Sequence, residues 1–475
     1  MRPFIARLRS FRGVEFQLLV TVLLFFAAGY LLVVVATRQR EFVASLPGLL
    51  SILWPSALPL LLFIGVSVGL SFQSPDADQV LLPLVALLAG LSLMLTARLE
   101  PSMNALYFCD VYNDAGEVVG AAPCYEGVAA KQSLWVTLGV SILALMLFVP
   151  WDRIFIRTLR LSLLDVLDHY RYIWLAIGLA LIFATFIFGV DPNGSGVKVW
   201  FNFGFFLFQP SELLKIILVI FMASYLNEHR EVVSSGYRLG PLTLPPLPYL
   251  LPLSGMWGVA MLTIVFQRDL GAALLLFGVF LAMLYVATAR ALYVVAGMLA
   301  FAAGAYVLYQ YLPVVALRVA VWLDPWATAQ GTGYQIVQAI YALSAGQVFG
   351  QGLGLGMPYI VPAVHTDFVF TAVGEEMGLA GSLAVLVAYV LLIFRGYHVG
   401  LAIPGRFRGF EQLLAIGLTT IIAVQTIIII GGNLRLIPLT GITLPFISYG
   451  GSSVLINFLI VGLLMRISAT ARRQP

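Results

Sequence analysis

Residues 79–97 read QVLLPLVALLAGLSLMLTA, and this stretch indicates the fold class. Its apolar residues follow one another without the period-two alternation of a strand or the polar stripe of a surface helix. About 20 such residues are enough to cross the hydrocarbon core of a bilayer as a helix. The stretch therefore predicts a transmembrane helix.

Similar apolar stretches recur along the chain and together give twelve predicted spans. Their approximate limits are 14–36, 48–72, 79–97, 133–150, 172–190, 209–226, 248–267, 270–288, 292–312, 368–395, 410–431 and 446–466. None of the twelve alternates between apolar and polar residues, so a β-barrel is not expected. The sequence predicts an all-α fold, a polytopic membrane helix bundle of about twelve transmembrane helices.

The composition excludes several classes of protein. Of the 475 residues, 61% are hydrophobic and 10% are charged, whereas soluble globular proteins carry about 25% charged residues. So few charges cannot cover a water-facing surface, which excludes a cytosolic enzyme, a disordered chain and a small disulfide scaffold. The net charge of +4 is spread along the chain. We therefore expect membrane lipids, and no nucleic acid, as partners.

Arginine and lysine are concentrated in alternate loops. The loops on the side of the N-terminus hold about two-thirds of the 26 basic residues, which predicts by the positive-inside rule that both termini are cytoplasmic. The first apolar stretch is too long for a signal-peptide core and has no clear cleavage site, so it is expected to remain as a span.

Three loops on the predicted outer side are unusual. Loop 98–132 contains both cysteines of the chain, Cys109 and Cys124, which are candidates for a disulfide; two free thiols are the alternative. Such a bond would stabilise the loop by about 3 kcal/mol in the chain-entropy model. Loop 191–208 is rich in aromatic residues. Loop 313–368 is too long to be featureless, and its residues 333–346 predict a short amphipathic helix.

Charged residues at membrane depth are costly unless they are paired or functional. Glu212 and Lys215 have the i, i+3 spacing that places two side chains on one helix face, so a structural ion pair explains them as well as a functional role does. Asp367 lies where the long outer loop meets an apolar helix, a position that favours a raised pKa. The sequence has no CxxC and no clustered histidines, so it gives no sign of a zinc or iron–sulfur site.

Six segments carry a family resemblance. They are QPSELLK at 209–215, DLG at 269–271, DPWATAQGTGYQIVQA at 324–339, GQGLGLG at 350–356, HTDFVFTAVGEEMGLAG at 365–381 and GITLPFISYGGSS at 441–453. In these motifs and in their order the chain resembles the SEDS family (shape, elongation, division and sporulation), the FtsW/RodA/SpoVE proteins.

The resemblance implies a domain organisation. The family has a core of about ten spans, in which QPSELLK opens the fourth. Two spans of this chain are then additional, so residues 1–75 are predicted to be an N-terminal extension with two extra transmembrane helices. Residues 76–475 would form the SEDS-like core. Nothing in the sequence assigns a role to the extension or to loop 98–132.

The resemblance also implies an activity, that of a peptidoglycan glycosyltransferase in the bacterial cytoplasmic membrane. Such an enzyme polymerises lipid II by a single displacement that inverts the anomeric carbon, and undecaprenyl diphosphate leaves. Asp367 matches the family's proposed catalytic aspartate and is predicted to be the general base. The predicted substrate-binding residues, mostly contacts to the diphosphate, are Lys198, Glu212, Lys215, Arg268, Asp269, Arg318 and His365.

Nothing in the sequence requires a cofactor, although a divalent cation, Mg²⁺ or Mn²⁺, would help to stabilise the diphosphate. The family typically works with a class B penicillin-binding protein, a transpeptidase, which is the expected protein partner. Two other functions stay open. A flippase or transporter for the lipid-linked precursor predicts repeat symmetry and polar sites at mid-membrane, and a non-catalytic scaffold for the transpeptidase would not need Asp367.

Overall fold

The structure is a computed structural model. It describes residues 12–36, 46–112, 118–191, 198–204, 206–235, 237–239, 242–244, 247–403 and 408–471. Twelve of its helices are long and apolar enough to cross a membrane, which confirms the prediction of an all-α polytopic bundle. The strands in the described part of the chain form only three two-stranded hairpins.

The membrane-length helices are interrupted by short helices and hairpins. In chain order, the helices are α1 (Gly13–Ala36), α2 (Leu46–Gln73), α3 (Leu81–Leu106), α4 (Val128–Phe148), α5 (Trp151–Leu159), α6 (Leu163–His169), α7 (Arg171–Phe188), α8 (Pro210–Glu228), α9 (Arg230–Ser235), α10 (Leu247–Phe266), α11 (Leu270–Thr288), α12 (Ala291–Tyr311), α13 (Pro313–Leu323), α14 (Tyr334–Gly346), α15 (Val369–Leu401), α16 (Gly409–Asn433) and α17 (Gly451–Ala471). The antiparallel hairpins pair β1 (Phe108–Tyr112) with β2 (Val118–Pro123), β3 (Phe201–Asn202) with β4 (Leu207–Phe208), and β5 (Tyr237–Leu239) with β6 (Leu242–Leu244).

The short amphipathic helix predicted within the long outer loop is present as α14. That loop also contains α13 and two 3₁₀ turns, at Trp326–Thr328 and Pro358–Ile360. Helical segments, α and 3₁₀ together, therefore make up about half of the loop.

Two helices run past their predicted ends because their charged residues are compensated. Helix α3 continues to Leu106, beyond residue 97, because Arg98 forms an ion pair with Glu376 and Glu100 accepts hydrogen bonds from the amides of Gly127 and Ala129. Helix α15 likewise continues past Arg395, which pairs with Asp78.

Helix α17 begins at Gly451, five residues later than predicted. The preceding residues 446–450 form a turn because their polar groups bond outside any helix. The amide of Tyr449 donates to the carbonyl of His365 over 2.8 Å. The hydroxyl of Ser448 accepts from the amide of Leu444 over 2.8 Å. The 440–450 segment therefore belongs to the loops at this end of the bundle.

Helix α1 packs against α3 at a point of close backbone approach. A Cβ at Gly90 would lie 2.2 Å from the ring of Phe26, which is fully buried. Arg12, at the start of α1, is 1% exposed and donates to the carbonyls of Ser74 and Ala77 over 3.1 and 2.8 Å. These contacts join the first helix to the turn before α3, at the end of the bundle opposite Asp367.

Helix α15 is broken at Gly378, whose φ of 66° lies in the left-handed region. A Cβ there would lie 2.3 Å from the amide nitrogen of Gly350, so only glycine fits. The amides of Leu379 and Ala380, freed by the break, donate to the carbonyls of Gln347 and Val348 over 2.9 and 3.0 Å.

The segment 347–357, here called the glycine loop, therefore packs into the break. Within it, the amides of Gly354 and Met357 donate to the carboxylates of Glu376 and Glu375 over 3.2 and 2.6 Å. Arg98, which is 3% exposed, lies beside Glu376 with Nε 3.0 Å from Oε1 and donates to the carbonyl of Gly356 over 2.9 Å. The glycine run is thus a docking element between α3 and α15.

We expect Arg98→Met to destabilise the protein, because it leaves Glu376 buried without its cation. Breaking a buried ion pair in this way costs about 3–5 kcal/mol, so the thermal midpoint in detergent should fall by several degrees. The matched control is the double variant R98M/E376Q, which removes both charges and keeps an acceptor for the amide of Gly354. It should recover most of the loss, and equal loss in both variants would contradict this role of the pair.

Candidate active site

Asp367 lies one residue before Phe368, which caps the N-terminal end of α15, at the end of the bundle that also carries the β1–β2 hairpin and the 440–450 segment. Its side chain is partly exposed, whereas the next three residues are buried. Burial nevertheless raises the pKa of Asp367 to about 6. This carboxyl group therefore titrates near neutral pH, where it can both accept and release a proton.

Three successive carbonyl groups fix the backbone at Asp367. The carbonyl of His365 accepts from the amide of Tyr449 over 2.8 Å, and that of Thr366 accepts from the hydroxyl of Ser448 over 2.5 Å. The carbonyl of Asp367 itself accepts from the side-chain amide of Asn433 over 2.7 Å. The backbone is therefore held from two sides, by α16 and by the 440–450 segment, while the carboxylate is left out of these bonds.

Arg318, on α13, is the cation that acts on this carboxylate. Its guanidinium favours the charged form of Asp367 and so limits the rise of that pKa. Nη1 of Arg318 donates to the carbonyl of Thr440 over 3.3 Å. Burial lowers the pKa of Arg318, while Asp269 and Asp367 raise it. Arg318 thus links electrostatically two carboxylates that lie about 100 residues apart in the sequence.

Asp269 caps the N-terminus of α11 and belongs to a second polar group. One carboxylate oxygen accepts from the amide of Ala272 over 3.1 Å, and the other accepts from the side chain of Gln209 over 3.1 Å. Burial raises the pKa of Asp269, and the nearby Glu212 raises it further, whereas Lys215 lowers it. The structure therefore brings Asp269, Glu212 and Lys215 together.

Glu212 and Lys215 form an ion pair with 2.7 Å between Nζ and Oε2. The ammonium of Lys215, a residue that is 1% exposed, also donates to the side chain of Gln425 over 3.1 Å. Gln425 in turn donates to the carbonyl of Thr443 over 2.7 Å. This network ties α8 and α16 to the 440–450 segment. The donors of Lys215 are directed at protein groups rather than at open space.

The remaining predicted residues lie in two different settings. His365 is buried, and its ring contacts those of Tyr125 and Tyr449 with centroids 4.9 and 5.6 Å apart. Burial lowers its pKa to about 4, so it is neutral near pH 7. Lys198 and Arg268 are exposed, and neither side chain forms an ion pair within the part of the chain that the structure describes.

Cys109 and Cys124 form a disulfide across the base of the β1–β2 hairpin. Cys109 lies on β1 and Cys124 directly follows β2. The amide of Cys124 continues the ladder by donating to the carbonyl of Tyr107 over 3.1 Å.

The sequence motifs do not identify the neutral residues whose hydrogen bonds position the site. Asn433 and Gln425 lie on an apolar helix, where a buried amide is a sign of a specific hydrogen bond. Gly441 lies within the GITLPFISYGGSS motif, and the motif alone does not show that a Cβ there would lie 3.8 Å from a carboxylate oxygen of Asp367. The prediction that Arg98 begins an outer loop is wrong, because it is a buried residue within α3.

The chain is similar to known proteins over most of its length. The family model FTSW_RODA_SPOVE, described as "Cell cycle protein", matches residues 120–473. The peptidoglycan glycosyltransferase RodA of Mycobacterium tuberculosis is 40% identical over 416 residues, which is 87% of this chain and 82% of the relative. The probable peptidoglycan glycosyltransferase FtsW of Geobacter sulfurreducens is 36% identical over 303 residues, covering 62% of this chain and 77% of the relative.

Solved structures share the fold. A chain from a structure described as "Structural coordination of polymerization and crosslinking by a peptidoglycan synthase complex" matches with a TM-score of 0.63 at 24% identity, covering 84% of this chain and 99% of that one. The rod shape determining protein RodA of Thermus thermophilus matches with a TM-score of 0.54 at 23% identity, covering 84% and 98%.

We expect Lys215→Met to lower activity more than it lowers stability. The change leaves Glu212 and Gln425 without their shared donor, which frees the 440–450 segment that contacts Asp367. The measurement compares the thermal midpoint and the turnover of the purified variant with those of wild type. Lys131→Met, on the exposed start of α4, is the matched control. Full turnover in Lys215→Met would make the network incidental.

Proposed function

The chain belongs to the FtsW/RodA/SpoVE family of peptidoglycan glycosyltransferases, and we propose that Asp367 is the general base of its reaction. The observation that carries this proposal is the combination of a fixed backbone and a carboxylate that forms no ion pair among the described residues. Three carbonyls around Asp367 are held by Tyr449, Ser448 and Asn433, while its pKa is raised to about 6. A general base whose pKa lies near neutral pH is suited to deprotonating a weak nucleophile such as a sugar hydroxyl.

The proposed substrate is lipid II. The 4-hydroxyl of an acceptor N-acetylglucosamine would attack the anomeric carbon of a donor N-acetylmuramic acid, and Asp367 would take the hydroxyl proton as the new bond forms. The bond from that carbon to undecaprenyl diphosphate breaks in the same step, so the anomeric configuration inverts. Such general base catalysis contributes about 10²–10⁴-fold to a rate. The lipid tails can remain in the bilayer beside the helix bundle.

The leaving diphosphate needs positive charge rather than a strong acid. Arg318 is the best placed donor, because it acts electrostatically on Asp367 and on Asp269. The exposed side chains of Lys198 and Arg268 remain proposed contacts to the same group. We assign Lys215 and Glu212 to positioning, because the donors of Lys215 are directed at Glu212 and Gln425.

A divalent cation remains a proposal. Within the described residues, no group of three or more His, Cys, Asp or Glu side chains is suited to hold a metal ion. A Mg²⁺ or Mn²⁺ ion would therefore need ligands from the substrate diphosphate in addition to any carboxylate of the protein. Its role would be to neutralise charge on the leaving group.

The protein is a multi-pass membrane protein. We propose that it lies in the cytoplasmic membrane with both termini in the cytoplasm, which would place Asp367 on the outer side. A class B penicillin-binding protein is the proposed partner. One structural neighbour comes from a complex described as coordinating polymerization and crosslinking, which supports a transpeptidase as that partner. The division at residue 75 stays a prediction.

Asp367→Asn should abolish polymerisation, because an amide cannot accept the hydroxyl proton. We expect the rate of glycan formation from lipid II to fall at least about 100-fold, with unchanged expression and thermal midpoint, since the backbone carbonyl bonds remain. The matched control is Glu126→Gln, which neutralises an exposed carboxylate near the same end of the bundle. Substantial activity in Asp367→Asn would exclude this residue as the base.

The pH dependence should follow the deprotonated form of Asp367. Because burial raises its pKa to about 6, the fraction of active base increases as the pH rises through about 6 and is nearly complete by pH 7. The rate of polymerisation, measured from pH 4.5 to 8, should show a single acidic limb with its midpoint near 6. A midpoint near 4, the usual value for an aspartate, would contradict the proposed environment.

A further inference from the structure

The disulfide-bonded hairpin has no part in the chemistry described above, yet its base lies against the segment that carries Asp367. Tyr107 and Tyr125 flank the two cysteines, and their rings meet edge to face with centroids 5.7 Å apart. The hydroxyl of Tyr107 donates to the carbonyls of Tyr359 and Ile360 over 3.3 and 3.4 Å. The hairpin base is therefore hydrogen-bonded to the segment that precedes Asp367 in the sequence.

Tyr125 connects the hairpin to His365. Its ring meets that of His365 with centroids 4.9 Å apart and an interplanar angle of 70°, an edge-to-face contact of the kind that aromatic pairs prefer. Its amide donates to the side chain of Asn104 over 3.1 Å, which anchors it to α3. Nδ1 of His365 has no hydrogen-bond partner within the described residues. The aromatic contacts, rather than hydrogen bonds of the ring, therefore hold this side chain.

Tyr107 and Tyr125 also border a hydrophobic core that is separate from the main core of the bundle. Its buried members include Val364 and Phe368. Tyr107 and Tyr125 pack against this core from the hairpin side. Val364 and Phe368, which precede and follow Asp367 in the sequence, belong to the same core. A displacement of the hairpin base would therefore disturb the packing of the residues on both sides of Asp367.

We propose that the hairpin closed by Cys109–Cys124 is a positioning element for Asp367, acting through the contact of Tyr125 with His365, so that full turnover requires the disulfide. The proposal rests on the assignment of Asp367 as the base. Tyr125 and the cysteines are positioning residues and touch no reacting atom. Loss of the disulfide would free Tyr125, loosen His365 and open the surroundings of Asp367 to water.

Few charged groups act on this region. Arg318 on α13 is the cation that acts on Asp367, and Asp269 acts on Arg318. His365 is neutral above pH 5 because burial lowers its pKa to about 4. Burial raises the pKa of Tyr449, so this phenol also stays neutral. A change in the acidic limb of the rate would therefore report on the environment of Asp367 itself.

The test measures kcat, KM and the pH profile of glycan polymerisation by the purified full-length protein. The set consists of wild type with and without reductant, the double variant C109S/C124S, Tyr125→Leu and Tyr125→Phe. Tyr125→Phe keeps the ring contact and is the matched control. The double variant treated with reductant controls for other effects of the reagent, and alkylation followed by mass spectrometry reports the state of the thiols.

We expect reduction, the double serine change and Tyr125→Leu each to lower kcat about tenfold or more with little change in KM, as a misplaced catalytic group does. Their acidic limb should move below pH 6, because a more hydrated carboxylate has a lower pKa. Tyr125→Phe should behave as wild type.

An unchanged kcat, or a lower kcat with an unmoved acidic limb, would overturn the positioning role. If the double variant fails to fold, reduced wild type and Tyr125→Leu still decide the question. Asp367→Asn, assayed in parallel, separates the two proposals. Activity in that variant would remove the base assignment, whereas an inactive Asp367→Asn beside fully active hairpin variants would overturn only the role of the hairpin.

Discussion

A charged side chain enclosed in a membrane-spanning bundle loses its hydration and is tolerated when another group compensates it. Most of the enclosed charges in this protein meet that condition. Arg98 lies beside Glu376, Lys215 beside Glu212, and Arg395 beside Asp78. Asp367 differs from these residues, since it forms no ion pair among the residues that the structure describes. A side-chain hydrogen bond with Thr366 and the longer-range field of Arg318 offset its burial only in part, so its pKa stays raised. This imbalance gives the carboxylate the basicity that the proposed reaction needs.

The loops at the end of the bundle that carries Asp367 hold this residue in its partly compensated environment. The glycine loop docks into the break at Gly378, and the 440–450 segment bonds to the carbonyls of His365 and Thr366. Both segments use backbone amides and small residues, so they approach closely without adding charge. Asn433 completes the set from α16. The base is thus held by neutral groups, which fix its place and leave its charge without an ion-pair partner.

The sequence predicted the fold well because a bilayer requires long apolar helices, and these are visible in a single chain. Helix ends were harder to place. Arg98 and Arg395 resemble loop residues in a hydropathy window, and only the location of Glu376 and Asp78 explains why the helices continue past them.

The candidate site was predictable where it carries charge and a recognisable motif, as at Asp367, Glu212, Lys215 and Asp269. Its neutral supports were not, because Asn433 and Gln425 depend on contacts between residues far apart in the chain. The same limit applies to the hairpin. Its cysteines suggested a bond within one loop, but the edge-to-face contact of Tyr125 with His365 joins segments 240 residues apart and leaves no mark on the sequence.

A structure of the Asp367→Asn variant bound to lipid II would show whether Asp367 lies beside the reacting hydroxyl, since this variant should bind the substrate without consuming it. We expect the 4-hydroxyl of the acceptor sugar to lie within about 2.6–3.2 Å of the side chain at position 367, the range for proton transfer to a base, and the diphosphate to lie beside Arg318. Sugar headgroups bound away from residue 367, or at the end of the bundle that carries Arg12, would contradict this expectation.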